Sequence, residues 1–426
     1  MLELAKESQS KTPNPVRQPG GQGVSLWRNR TFLAVFSSYS LSLLGNTFHS
    51  IALNLWVLQT TGSAKLMSVV LITHLVISML FGSFAGTVAD RVDRRTLMWI
   101  TDIIRFVLVA AIALLIFLPH IPFVFIVLLT GLVAFTGVFR TPAFQASLIE
   151  IVGKEQLTQA VGAISISDNI IRISGFALGG IAVAAFGGAF AIAIDAATFL
   201  LSGLLLLFAG KFPYKAPKDT AISKTSFKED LTAGFRYVWN EPFAKAAVML
   251  LPLIMFFFLS TFMLIQVMAV QVWQAKPFIF GLMEACIPLG YVIGSILIMR
   301  LDTKLKSRGK WIIGSMILMG PLFIAISFMT AAAAALPLIL LVGFLFSFST
   351  TIIFIVLRVA VEPAMQGRVF GLVGALTSVA PPIGLAVFST LSDLYGPAFI
   401  IAASGAAMLL MGMIAYNRLN AIRDFD

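Results

Sequence analysis

Charge is scarce in this chain: Asp, Glu, Lys and Arg make up 12% of its 426 residues, about half the share usual in a soluble domain. A water-facing surface cannot be built from so little. The single cysteine, Cys286, excludes an intrachain disulfide framework and any cysteine-based zinc site. Three histidines, His49, His74 and His120, are scattered among apolar neighbours without metal-ligand spacing, and no cofactor box occurs, so neither metal nor cofactor is expected. The longest polar stretch, Gly210 to Pro242, is too short for a catalytic domain, and no nucleophile–base pair is visible. An enzyme is therefore not expected. The first 27 residues hold Pro, Gln, Lys and Gly but no apolar run, which reads as a disordered tail and not as a cleaved signal peptide.

What the chain has is hydrophobicity: 59% of residues are apolar and the mean hydropathy is +0.96. A membrane-spanning helix needs about 20 mostly apolar residues. Such runs fall near Thr31–Leu58, Ala64–Ala89, Thr96–Leu118, Ile121–Phe144, Leu157–Phe186 and Ala189–Ala209, and again near Phe243–Trp273, Phe278–Met299, Trp311–Met329, Leu336–Leu357, Val369–Leu391 and Ala398–Tyr416. The expected fold is an all-α membrane protein of twelve transmembrane helices in two six-helix bundles. A tail (1–30), an N-terminal bundle (31–209), a central loop (210–242), a C-terminal bundle (243–417) and a short tail (418–426) divide the chain.

A net charge of +11 would suggest nucleic acid as partner for a soluble domain, but here it follows topology. With the N-terminus in the cytoplasm, inner segments hold 25 of the 30 basic residues, the outer loops hold Lys65 and Lys276, and Arg105, Arg140 and Arg172 remain within helices. The positive-inside rule then sets both termini in the cytoplasm of a bacterial inner-membrane protein, with lipid as its surroundings and no nucleic acid. Seven basic residues from Lys211 to Lys245 mark the central segment as a linker, within which Phe227–Trp239 can form an amphipathic helix on the inner leaflet. The run Gly180-Ile-Ala-Val with Gly187-Gly-Ala-Phe is echoed by Gly384-Leu-Ala-Val with Gly396-Pro-Ala-Phe, at offsets of 204 and 209 residues. The fifth and eleventh helices are thus expected to be repeat mates, and the two bundles pseudosymmetric.

Between the second and third helices stands Gly86-Thr-Val-Ala-Asp90-Arg91-Val-Asp93-Arg94-Arg95. A glycine allows close backbone approach, and Asp90 suits a neighbouring helix N-terminus, where the macrodipole favours an anion. This run resembles motif A of the major facilitator superfamily, with Asp93 at a position that is usually Gly. Further resemblance, to the drug:proton antiporters that include macrolide efflux proteins and the enterobactin exporter, rests on Ser42-Leu-Leu-Gly45-Asn46, Thr61-Gly-Ser-Ala64, Asp102-x-x-Arg105, Arg172-Ile-Ser-Gly175 with Gly179-Gly180, and Gly367-Arg368-Val369. It departs at Asn46, where the family often has an acid, and at Gly175-Phe176, where it has Gly-Pro.

The resemblance implies a monomeric secondary transporter that exports hydrophobic or amphiphilic small molecules (drug, siderophore or secondary metabolite) by alternating access, with protons as a candidate coupling ion. A lipid or lysolipid translocator of the same fold, or a non-transporting membrane sensor, are the alternatives. A cytoplasmic gate is expected from Gly86, Asp90, Arg91, Arg94, Arg95 and Arg368, with Asp102 and Arg105, which fall on the first turns of helix three. Mid-depth charges are costly and face protein or a wet cavity, so the candidate substrate- or proton-binding residues are Asn46 and His49 on one face of helix one, Asp168 and Arg172 spaced i,i+4 in helix five, Asp195 in helix six and Glu284 in helix eight. Asp168 and Arg172 either pair with each other or meet a ligand. Arg140, near the inner end of helix four, is expected to snorkel to the interface or to pair with Glu150.

Overall fold

The computed structural model describes residues 25–118, 121–210, 212, 227–301 and 307–423. Most of the expected N-terminal tail, His120, much of the basic central segment, including Lys211, and the pair Lys304 and Lys306 lie outside the described residues. From Ser25 the tail makes one 3₁₀ turn, Leu26–Arg28, and Leu26 is buried with Phe32, Leu148, Val152 and Ala160.

Thirteen helices and no strand occur among the described residues: α1 (Arg30–Thr61), α2 (Ala64–Arg91), α3 (Arg94–Phe117), α4 (Phe123–Phe186), α5 (Gly188–Phe208), α6 (Phe227–Asn240), α7 (Pro242–Gln271), α8 (Pro277–Leu301), α9 (Arg308–Ser327), α10 (Ala332–Ala360), α11 (Pro363–Tyr395), α12 (Pro397–Arg418) and α13 (Asn420–Arg423). At ~1.5 Å per residue, the 64 residues of α4 would run about three bilayer thicknesses if straight. They do not, because Gly153 has φ 72° and ψ 173° and folds the helix into two limbs, 123–152 and 154–186. Each limb is one span, so the spans number twelve. The expected loop between the fourth and fifth runs is therefore mostly helix. Gln145, Glu150, Lys154, Glu155 and Gln156 are good helix formers, and apolarity alone underestimates a helix that continues past the hydrocarbon.

Helix starts follow from local chemistry. The Asn29 side chain accepts from the N–H groups of Thr31 and Phe32, Ser63 from Leu66, Asp93 from Thr96 and Glu241 from Ala244. α1 stops at Gly62, whose φ of 59° suits a left-handed cap.

The spans alternate in direction, so both ends of the described chain lie at one end of the bundle, here called proximal; the opposite end is distal. In the first half α1 packs on the second limb of α4, α2 on its first limb, and α3 on α5. The second half repeats each pairing six spans later: α7 on α11, α8 on α10, α9 on α12. The second limb of α4 and α11 are thus mates, as the sequence echo indicated. Contact between halves runs mainly through α4 with α8 and α2 with α11, which exchange under the same pseudosymmetry.

Candidate functional site

The halves meet distally. In α11, the third residue from the end, Asp393, reaches the start of α2: its carboxylate accepts from Ser63 Oγ at 2.8 Å, Ala64 N at 2.9 Å and Lys65 N at 3.3 Å. An anion at a helix N-terminus is favoured by the free N–H groups and the macrodipole. Ser68 and Ser389 Oγ are 2.9 Å apart, Asn54 donates to Gln266 at 3.1 Å, and Gln271 donates to the Gly62 carbonyl at 2.7 Å. Beside them the second limb of α4 crosses α8 at Gly180 and Gly281. A Cβ on Gly180 would stand 2.7 Å from the Pro277 carbonyl oxygen, and one on Gly281 would stand 2.5 Å from that of Phe176, so only glycine allows this approach.

At the proximal end the same helices part. A Cβ added at Gly82 or Gly86 of α2, or at Gly367, Gly371 or Gly374 of α11, would meet nothing within 4 Å. Asp90 keeps 64% of its side chain exposed and touches Arg94 at 3.5 Å. Arg91 is exposed, and Arg368 packs its Cβ against Gly234 of α6. The rest of the motif is tied into the first half. Arg94 bonds the Ala89 and Ala146 carbonyls and meets Glu150 at 2.6 Å. Arg95 bonds the carbonyls of Leu206 and Leu207 at the end of α5, where a cation suits the dipole. Asp93, in place of the usual glycine, caps α3 with a 2.8 Å bond from Thr96 N.

Asp102 and Arg105 are not part of that proximal cluster. Because α3 starts at Arg94, Asp102 lies about 12 Å along it, fully buried. Its Oδ1 is 2.8 Å from Arg140 Nε, and its Oδ2 accepts from Ser202 at 2.6 Å. Arg140 also donates to Ser38 and Ser202. It neither snorkels nor meets Glu150: the first limb of α4 continues to residue 152, so Arg140 is three turns from its end, and Glu150 belongs to Arg94. Arg105 donates to Asn46 Oδ1 at 2.9 Å and lies 3.8 Å over the Phe199 ring. Asn46 and His49, expected on one face, diverge in partner: His49 Nδ1 is 3.1 Å from Asp195 Oδ2.

Asp168 and Arg172 form no ion pair. Asp168 Oδ2 instead accepts from the Tyr39 hydroxyl at 3.1 Å, Ser167 pairs with Ser40, and Arg172 is exposed with no hydrogen bond or ion pair among the described residues. Glu284, 7% exposed, has no hydrogen-bond partner for Oε1. No group of three or more His, Cys, Asp or Glu placed to hold a metal occurs among the described residues.

Tyr39, Ser38, Ser202, Asn54, Gln266 and Asp393 carry much of this geometry and were not singled out in the sequence. Hydroxyls and amides within apolar runs give no periodic signal. Asp393 did give one: it is an acid near a helix end before Gly396, as Asp90 is an acid near the end of α2.

A family model described as transmembrane secretion effector matches residues 22–425. Macrolide efflux protein A of Streptococcus pyogenes is 21% identical over 398 residues, covering 93% of this chain and 97% of that protein. The multidrug efflux pump Tap of Mycolicibacterium fortuitum is 24% identical, covering 90% and 94%, and the enterobactin exporter EntS of Escherichia coli is 26% identical, covering 80% of each. Among solved structures, the nucleoside transporter NupG aligns with a TM-score of 0.70 at 13% identity over 93% of this chain and 100% of that one. A bacterial homologue of the human lysosomal transporter Spinster, inward-facing and unoccupied, aligns at 0.69 and 15% over 94% and 96%. These two likenesses establish the fold.

Proposed function

This chain belongs to the transmembrane secretion effector family of major facilitator transporters, and from that premise we propose that it exports hydrophobic or amphiphilic small molecules from a bacterial cytoplasm by alternating access, in exchange for protons. The observation that carries the reading is the asymmetry of the interface between halves: joined distally, open proximally, with charged side chains at mid-depth between. The relatives named for macrolide, multidrug and enterobactin export support the direction and the cargo class.

Sidedness follows from charge. Arg91, Arg94 and Arg95, Arg308 and Lys310, and Arg358 and Arg368 all sit at the proximal end, so that end faces the cytoplasm, both termini are cytoplasmic, and the described conformation is open inward. Two related bundles that touch through mated helix pairs are suited to rock about a central site. Opening the distal end requires release of Asp393 from α2; closing the proximal end brings Asp90 toward the start of α11.

The coupling residue in this reading is Glu284. Asn46 is taken by Arg105 and carries no proton, Asp102 is matched by Arg140 and Asp195 by His49. Among the described residues, Glu284 alone of these is buried, in α8, without an ion pair, beside the crossing at Gly281 that must part when the distal end opens. A lone buried carboxylate is costly when ionised, so its proton and the movement are tied together.

The test uses the purified chain in lipid vesicles, with radiolabelled erythromycin and ethidium as probes and an imposed proton gradient. Wild-type protein should move at least one probe against its gradient. The Glu284→Gln variant should lose that uphill movement while keeping probe-for-probe exchange. No movement by wild type overturns the exporter reading, and uphill movement by Glu284→Gln at the wild-type rate removes Glu284 from coupling.

A further inference from the structure

Resting on the transport reading above, we propose that Arg172 binds an anionic group (carboxylate, sulfonate or phosphate) on the transported molecule, which makes the preferred cargo an anionic amphiphile. On the 154–186 limb of α4, Gly175 faces Thr47 and Leu44 of α1, and Gly179 faces Phe48 and Ile51 of the same helix. Asp168 bonds Tyr39, also on α1. Gly180 faces Gly281 of α8. At 100° per residue, Arg172 points into the sector between the residues that touch α1 and the one that touches α8. That sector is the gap between the two halves. The opposite face carries Ile166, Ile170 and Ile181, each exposed by 46% or more, as a lipid-facing stripe should be.

Depth agrees. Arg172 stands about two turns, or roughly 12 Å, on the proximal side of the Gly180–Gly281 crossing. It therefore looks into the space beneath the distal closure, reached from the open end. Its nearest carboxylate along the helix, Asp168, is held by the Tyr39 hydroxyl and does not pair with it. Asp102 and Glu150 are paired with Arg140 and Arg94, and Asp195 lies against His49. Arg172 is thus an exposed cation midway along its limb with no hydrogen bond or ion pair among the described residues, whereas the buried Arg140 is paired with Asp102. A guanidinium there is expensive unless water or an anion meets it, and its planar fork suits a carboxylate, sulfonate or phosphate in bidentate contact.

The probes are fluorescein, an anionic aromatic dye, and ethidium, a cationic one of similar size, each followed in zwitterionic vesicles carrying wild type, Arg172→Gln or Arg172→Lys. Wild type should carry fluorescein. Arg172→Gln should lower fluorescein flux at least about tenfold, chiefly through KM, since a charge-assisted contact is lost. Arg172→Lys should recover part of it, and ethidium flux should stay level or rise in both variants. If wild type carries ethidium but not fluorescein, the anion assignment falls while export stands; if it carries neither, the transport reading falls with it. Equal loss of both dyes in Arg172→Gln makes the residue structural. No change for either dye leaves it to lipid phosphate or water, and both results overturn the proposal.

Discussion

The charges inside the first half fall into two kinds. Asp102 and Arg140 form a buried pair, with Ser38 and Ser202 accepting from Arg140 and Ser202 donating to Asp102. Removing one member of such a pair leaves the other charge buried alone, which costs about 3–5 kcal/mol, whereas neutralising both costs much less. Asp102→Asn should therefore lower the temperature at which the detergent-purified protein stops eluting as one species, and Asp102→Asn with Arg140→Gln should recover much of that loss. A single variant as stable as wild type would show the pair to be dispensable. The sequence announced that these charges need partners, because mid-depth ions must have them, but it could not say which. Snorkelling or a pair with Glu150 is what the sequence suggests for Arg140, because the apolar run ends near Phe144 while the helix continues to residue 152. Asp102 and Arg105 likewise lie deeper along α3, which starts at Arg94, than an apolar run from Thr96 suggests. Arg172 was legible as a mid-depth cation; that Asp168 hydrogen-bonds Tyr39 and forms no contact ion pair with it depends on the packing of α1, which spacing within one helix cannot reveal.

Helices were the most readable level, since twelve apolar runs of spanning length leave the chain little choice. What escaped was where they touch. Glycine in a spanning helix signals close approach, yet nothing local distinguishes Gly180, pressed on α8, from Gly162, around which a Cβ would meet nothing. The crossing makes a sharp prediction. An added methyl at Gly281 would stand 2.5 Å from the Phe176 carbonyl oxygen and 2.9 Å from Gly180 Cα, both backbone atoms that cannot rotate aside. Overpacking of this kind costs about 1–3 kcal/mol, and the cost falls only on the distally closed state. Gly281→Ala should shift the population toward distal opening by about 5- to 150-fold. The sole cysteine, Cys286, can be replaced by serine, and a reporter cysteine placed at Val183, which is buried about one turn distal to Gly180. Labelling by an impermeant maleimide from the distal side should accelerate in Gly281→Ala. An unchanged rate would mean that the closure is held elsewhere.

For the molecule as a whole, the informative feature is that α2 and α11 run antiparallel and each ends in an acid. Asp393 lies two residues before the end of α11 and caps the start of α2; Asp90 lies one residue before the end of α2, opposite the start of α11. Pseudosymmetry makes these two contacts alternatives, since rocking that frees one brings the other into reach. The motif around Asp90 was visible from the outset, whereas its distal counterpart needed the fold, because only the packing of α2 on α11 reveals which helix start Asp393 serves. Each carboxylate contributes about 0.3–2 kcal/mol through the dipole, plus its charged hydrogen bonds, to one state only. The two neutralising variants should therefore act in opposite directions. With spin labels on cysteines at Thr87 and Ala364 in the Cys286→Ser background, the described state gives a long proximal distance. Asp393→Asn should populate a shorter one, while Asp90→Asn should leave the long distance dominant and slow transport without impairing membrane insertion. A shift in the same direction for both, or normal flux in Asp90→Asn, would mean that the two acids are not opposing latches and that the balance between states is set by the glycine crossing alone.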